Sequence, residues 1–314
     1  MVATLVAICH FSTGSPASVR NVGACYYCLM IRPIELGSFR LFPLLDGFFH
    51  LDGGPMFGVV PRQIWSKIYK PDERNRVRLG LRPLLLEANG RWVLIDTGIG
   101  DKFDDKLKDI YGVERTPLLQ DQLAEVGIAA GDISVVINTH LHWDHAGGNT
   151  AGNGTGGWDP AFPNARYVVQ RGEFEFATRL NERTRGSYRT EDYLALEKLG
   201  LFDFADGDTS IMRGVRIVRS GGHTPFHQCV LLESGRDHAF FLGDLIPTHA
   251  HLPLPYIMGY DLDPLSTLDR KREYLTRAEK EGWLLFFVHD PDVTCGRIEM
   301  HDRHFRLKSG GENR

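Results

Sequence analysis

From Thr139 to Gly148 the chain reads THLHWDHAGG, which crowds His140, His142, Asp144 and His145 into six residues. The apolar run ISVVIN stands directly before them and a pair of glycines directly after. A single imidazole in such a place would be read as satisfying a hydrogen bond. Three imidazoles and a carboxylate are a metal-ligating set, because catalytic zinc takes imidazole nitrogens and carboxylate oxygens and keeps one position open. His140 and His142, two apart on an extended segment, project to the same side. So short a stretch cannot close around one ion with all four groups. It can offer one pair to each of two neighbouring ions.

Further ligands must come from elsewhere, and several later apolar runs end in them. His223 follows VRIVRS in GGHTPFH, Asp244 closes HAFFLGD, and His289 closes LLFFVHD. Each stands where a sheet presents side chains to a shared cleft.

The elements around these residues can be read from pattern. In PLLLEANGRWVLIDTG, two β-rich runs flank Asn89-Gly90, the dipeptide favoured in tight two-residue hairpins. Thr116-Pro117 opens a helix with Leu118, Leu119, Leu123 and Val126 on one face and Gly127 at its end. Residues 34–51 read as strand, 147–157 as a glycine-rich loop, ARYVVQ as strand and 172–199 as helical. VRIVRS, QCVLLES, HAFFLGD and LLFFVHD read as strands, 264–282 as an amphipathic helix, and GRIEMHDRHFRL as a closing hairpin. Strand pairs alternating with helices imply a layered α/β arrangement, two sheets covered by helices.

Composition narrows the partners. The 314 residues carry a net charge of −4 with a pI near 6.4, and lysine and arginine are scattered. No basic face for nucleic acid is expected, and the run DERNRVRLGLR (72–82) reads as the salting of an exposed loop. No stretch reaches the roughly 18 to 20 apolar residues that span a bilayer. Five cysteines, three of them (Cys9, Cys25, Cys28) within the first 28 residues, form no disulfide framework, which favours a reducing, cytoplasmic setting. Cys25-Tyr-Tyr-Cys28 lacks the second pair or βαβ context of a zinc or redox motif. Residues 1–29 lack the basic start of a secretory signal. They are read as a disordered tail or an extension upstream of a start at Met30, with one domain over 30–314.

HLHWDH, GGHTPFH, FLGD and FVHD, in that order after an IDTG hairpin, resemble the metallo-β-lactamase superfamily. The resemblance runs from about Met30 to Leu307. It implies a four-layer αββα sandwich with a two-metal site where the sheets meet. It further implies His140, His142 and His223 as ligands of one ion and Asp144, His145 and His289 as ligands of the other. Asp244 would bridge them, and Asp96 would orient ligands from behind. Redox members carry an acid at the motif's second histidine, whereas this chain has His142. GGPMFGVVPRQIWSKIYKPDERNR and GRIEMHDRHFRL are similar to the N-acyl-homoserine lactonase and methyl parathion hydrolase branch. Lactonases of that branch often have a tyrosine three residues after the bridging aspartate, and Pro247 stands there instead.

The expected activity is hydrolysis of a small ester-like substrate, a lactone first, by two Zn²⁺ ions (Mn, Fe or Co being alternatives) that lower the pKa of a shared water. The alternatives are a phosphotriester or a thioester, and, from another class, an iron-dependent persulfide dioxygenase. Asp144 and Asp244 are the expected catalytic acids, with Asp144 carrying the proton. Phe57, Trp65, His249 and His251 are candidate substrate-binding residues. Met56, Tyr69 and the set Tyr188, Tyr193 and Phe202 could wall the pocket, or a homodimer could use the apolar residues of 55–69. His227 reads as structural, and Trp143 as packing beneath the metal loop.

Overall fold

The computed structural model describes residues 31–309. The readings placed on residues 1–29 lie outside the described residues.

Two sheets form the body of the fold. The first has seven strands, in spatial order Ile34–Leu36, Phe39–Pro43, Leu84–Ala88, Arg91–Ile95, Ile133–Ile137, Arg166–Gln170 and Phe202–Ala205. The second has six: Thr209–Met212, Val215–Arg219, Gln228–Ser234, Asp237–Phe241, Leu284–Phe286 and Cys295–Gly296. Central strands are apolar on both faces, and the period of two divides their side chains between layers. Leu84, Leu86, Val93 and Ile95 meet Val230, Leu232, Ala239 and Phe241 between the sheets. Leu85 and Leu94 turn outward to Leu119 and Leu123 of helix Leu119–Val126, where Ala177 and Leu196 of two further short helices also pack. Phe240 and Leu285 turn outward on the other side, to Tyr274, Leu275 and Ala278 of helix Pro264–Glu281. This is the four-layer αββα sandwich. Phe241, 1% exposed between the sheets, would cost about 3–5 kcal/mol if cut to alanine.

Strand Ile133–Ile137 shows why the simple alternation slips. Ile133 and Val135 face opposite layers although they are two apart. The register beside Trp92 and Val93 shifts there, an irregularity that rotates one residue out of phase.

Several local readings hold. Asn89 and Gly90 both take positive φ, 53° and 72°, between the paired residues Ala88 and Arg91. Asp263 caps the long helix through Ser266 N at 3.1 Å, and Gly282 ends it at φ 68°. The closing hairpin pairs Ile298–His301 with His304–Leu307.

Others are corrected. The stretch 172–199 is helical only at Arg171–Ala177 and Leu194–Lys198, apart from a 3₁₀ turn at Thr190–Asp192. Asn181 Oδ1 accepts from the backbone N–H groups of Arg183 and Thr184, which replaces helical pairing with a turn. The arginine-rich run at 72–82 contains a strand, Arg76–Gly80, paired with Phe48–Asp52. Its cations bond Asp72, Asp109 and Glu114. The glycine-rich loop holds a small hairpin of Thr150–Gly152 with Trp158–Pro160.

Candidate metal centre

The converging residues stand at the carboxyl ends of parallel strands, the usual place for a ligand crevice in α/β sheets. Arg91–Ile95 and Ile133–Ile137 run parallel, and they end beside each other at Asp96 and the histidine loop. In the second sheet Asp237–Phe241 and Leu284–Phe286 run parallel and end at Asp244 and His289. His223 follows strand Val215–Arg219. Past His142 the chain turns into the short helix Trp143–Ala146, which carries Asp144 and His145. The loop then leaves through Gly147 and Gly148. A Cβ on either would collide with backbone oxygen of Ile99 or Thr97, so only glycine allows this approach.

The seven expected residues come together. Potential ligand atoms of His140, His142 and His223 lie within 4.8 Å of one another, as do those of His140, His145 and Asp244, and those of Asp144, His145 and His289. Asp244 sits in the middle. Its Oδ2 is 3.2 Å from His223 Nε2, and its Oδ1 is 3.4 Å from His145 Nε2 and 3.2 Å from His289 Nε2.

Contacts behind the rings fix which nitrogen each one presents. The Thr139 hydroxyl donates to Asp96 Oδ2 at 2.9 Å and accepts from His140 Nδ1 at 3.0 Å. His145 Nδ1 bonds Asp96 Oδ2 at 2.9 Å, His223 Nδ1 bonds Asp261 Oδ1 at 2.9 Å, and His289 Nδ1 donates to Gly80 O at 2.9 Å. All four rings therefore present Nε2 to the centre, held as a ligating imidazole requires. His140 Nε2 is buried with no hydrogen-bond partner. An orphaned lone pair among buried nitrogen and carboxylate donors fits a bound cation.

Asp96 reaches its place through a strained backbone, φ 56°. Asp261 and the Gly80 carbonyl were not visible as supports in the sequence. Neither sits in a pattern, and a carbonyl has no residue-type signature. His227 takes the structural part expected of it: its Nε2 accepts from Asp244 N at 3.0 Å.

Burial and charge set the protonation. Burial, reinforced by neighbouring imidazoles, holds His140 well below the usual histidine range and His142 at about 3. Burial also opposes charge on His145 and His289, but Asp244 and Asp144 outweigh it. His145 is raised well above the usual range and His289 to about 9. Burial disfavours the ionised carboxylates too, yet the facing imidazoles lower Asp144 and take Asp244 well below the usual range.

A cavity of about 350 Å³ opens onto the centre. His142, Asp144, His223, Asp244 and His289 form its polar end, and Leu51, Met56, Trp143, Met258 and Leu262 its apolar wall. Trp143 also packs edge-on against Phe49 at 5.7 Å between ring centroids. Of the proposed substrate-binding residues, Phe57, Trp65 and His251 form a buried stack that is not part of this lining. Phe57 lies 5.4 Å from Trp65 and 4.9 Å from His251. His251 Nε2 bonds Met56 O at 2.9 Å, so the stack holds a residue that does line the cavity. His249 bonds buried Asp290 instead. Tyr188, Tyr193 and Phe202 also lie off the wall, which is supplied from that region by Arg183, Thr184, Gly186 and Ser187. The sequence gives no apolar or aromatic signal for these four.

Comparison with known proteins agrees with this geometry. Residues 83–289 match the metallo-beta-lactamase superfamily. An N-acyl homoserine lactonase of a Bacillus species is 31% identical over 229 residues, covering 68% of this chain and 82% of that protein. A solved structure described as a probable metal-dependent hydrolase from Staphylococcus aureus superposes with a TM-score of 0.80 at 28% identity, over 88% of this chain and 99% of that one. AidC, a dizinc quorum-quenching lactonase solved with N-hexanoyl-L-homoserine as product, shares the fold at a TM-score of 0.74 and 20% identity, over 88% of this chain and 96% of that one. With its strand-end histidines and carboxylates in place, the chain belongs to the metallo-beta-lactamase superfamily and is a metal-dependent hydrolase.

Proposed function

We propose that this enzyme holds two zinc ions and hydrolyses a small ester, a lactone in the first place. The observation that carries the reading is the position of Asp244. One of its oxygens faces His223 and the other faces His145 and His289, as a carboxylate shared between two cations would. His140, His142 and His223 hold one ion in this reading, and Asp144, His145 and His289 the other. Two ions so placed supply a water of lowered pKa and a Lewis acid for the acyl oxygen.

The chain's own groups do the rest. Asp144 lines the cavity, with Oδ2 3.4 Å from His289 Nε2. Held ionised, it can take a proton from the attacking water and return it to the departing oxygen. Leu51, Met56, Trp143 and Met258 offer an apolar seat for the acyl side of the substrate, and they limit the water around the reacting atoms. Pro247 brings no hydroxyl, so the phenols beside the cavity are those of Tyr111 and Tyr260. The sequence similarity to N-acyl homoserine lactonases supports putting a lactone ahead of other esters.

The test is a panel of lactones, thioesters and phosphotriesters with zinc-reconstituted protein, alongside metal analysis. Lactone hydrolysis with two zinc ions per chain is the expected result. One iron per chain, or preference for a phosphotriester, would replace this reading.

A further inference from the structure

Glu173 lies outside the seven-residue set, on helix Arg171–Ala177, and its side chain is completely buried. No lysine or arginine pairs with it among the described residues. Its carboxylate instead accepts three hydrogen bonds from three separate segments. Leu141 N, between two histidines of the metal loop, donates at 3.2 Å. Thr224 Oγ1, next to His223, donates at 2.6 Å. Tyr188 Oη, on the loop that walls the cavity, donates at 2.9 Å. Tyr188 also stands edge-on to His142, with ring centroids 4.6 Å apart, and its backbone bridges that of His142. Next to this bridge, Trp143 N donates to Ser187 O at 3.0 Å.

A carboxylate buried without a counter-charge is a poor choice for packing alone. Burial raises its pKa, against the pull of its three donors. What this carboxylate does provide is registration. All three donors flank or touch the His140, His142 and His223 group, and none belongs to the Asp144, His145 and His289 group.

We propose that Glu173 is a positioning residue for the three-imidazole half of the centre. It fixes the spacing of the His140–His142 loop against the His223 loop and, through Tyr188, ties the adjoining Arg183–Ser187 wall to both. The inference rests on the two-ion reading above, and it requires an effect confined to one ion. A support acting through a ligating histidine is worth about 10–100-fold in metal affinity.

Zinc titration of metal-free full-length protein against a competing chelator tests it, with wild type, Glu173→Ala, Glu173→Gln and Tyr188→Phe compared and folding followed by circular dichroism. In Glu173→Ala one ion should keep wild-type affinity while the other weakens about 10–100-fold, with KM raised because the wall is loosened. Glu173→Gln, which keeps the shape and an acceptor oxygen, should restore most of the loss, and Tyr188→Phe should fall between. Should Glu173→Ala fail to fold, Tyr188→Phe and Thr224→Val each delete one donor and must show the same one-sided weakening. Two ions bound as in wild type, or both weakened alike, would overturn the proposal while leaving the two-ion reading intact. A wild type that binds no zinc would overturn both.

Discussion

The His140–His142–His223 half of the centre and the Asp144–His145–His289 half meet at Asp244 but follow opposite electrostatic plans. The first half contains imidazoles alone. Burial keeps His140 and His142 neutral, His142 with a pKa of about 3; His140 Nε2 has no partner, and His142 Nδ1 lies 3.1 Å from His223 Nε2. Only His223 is raised: burial opposes its charge, but Asp244 and Asp261 prevail. In the second half a carboxylate of its own, Asp144, joins the shared Asp244, and both imidazoles are raised. There the carboxylates favour a proton on the imidazoles where a cation would otherwise sit. The first half has two neutral imidazoles and one raised, whereas in the second both imidazoles are raised and a cation must displace a proton to bind.

The largest expected effect comes from removing what the halves share. Asp244→Asn should abolish turnover and bring bound zinc below two per chain with an unchanged circular dichroism spectrum. Full activity in a zinc-replete sample would break the comparison altogether. Cutting one ligand from each half should separate them. His142→Ala and His289→Ala should each lose one ion and retain the other, and turnover should vanish in both. If either variant lost both ions, the halves would be one cooperative unit.

The pH dependence of zinc binding sharpens the contrast next. His289 is protonated below about 9, so an ion entering its half displaces at least that proton. Apparent affinity there should fall about tenfold for each pH unit below that value, for each proton displaced. The sign is fixed: acid expels the ion from the carboxylate half, as potentiometric titration of the His142→Ala protein should show. A pH-independent affinity would contradict the protonated His289. The smallest effects belong to the supports. Asp96→Asn should weaken chiefly the ion beside His145, and Asp261→Asn chiefly the ion beside His223, each by about 10–100-fold.

How much of this was legible in the sequence depends on where the information lies. The seven converging residues were legible because coordinating side chains soon after apolar runs are rare, and each follows one such run, Asp144 and His145 on the short helix that continues the metal loop. The layers followed from strand pairs alternating with helices, the strands being apolar runs such as QCVLLES and HAFFLGD. The break in 172–199 was not legible, since it depends on Asn181 capturing two backbone N–H groups, which composition does not show. The aromatics Phe57 and Trp65 looked like a pocket wall, but their size made them better as buried packing beneath Met56. Polar residues such as Thr184, which is buried, and Ser187, which is half-buried, became wall because their loop lines the cavity. Asp261 and Glu173 were hidden for another reason: their partners lie 38 residues away or more in two of the contacts that matter, His223 with Asp261 and Thr224 with Glu173.

The close approach of Gly147 and Gly148 to the backbone of Ile99 and Thr97 locks the exit of the metal loop, whereas the cavity beside the centre is lined by side chains. Main chain resting on main chain leaves no atom there for mutation to trim or enlarge. New substrate preferences can therefore arise among the lining side chains, from Leu51, Met56 and Met258 to Arg183, which also bonds Gly259 O. An evolving or engineered descendant would keep its chemistry fixed while its appetite wandered.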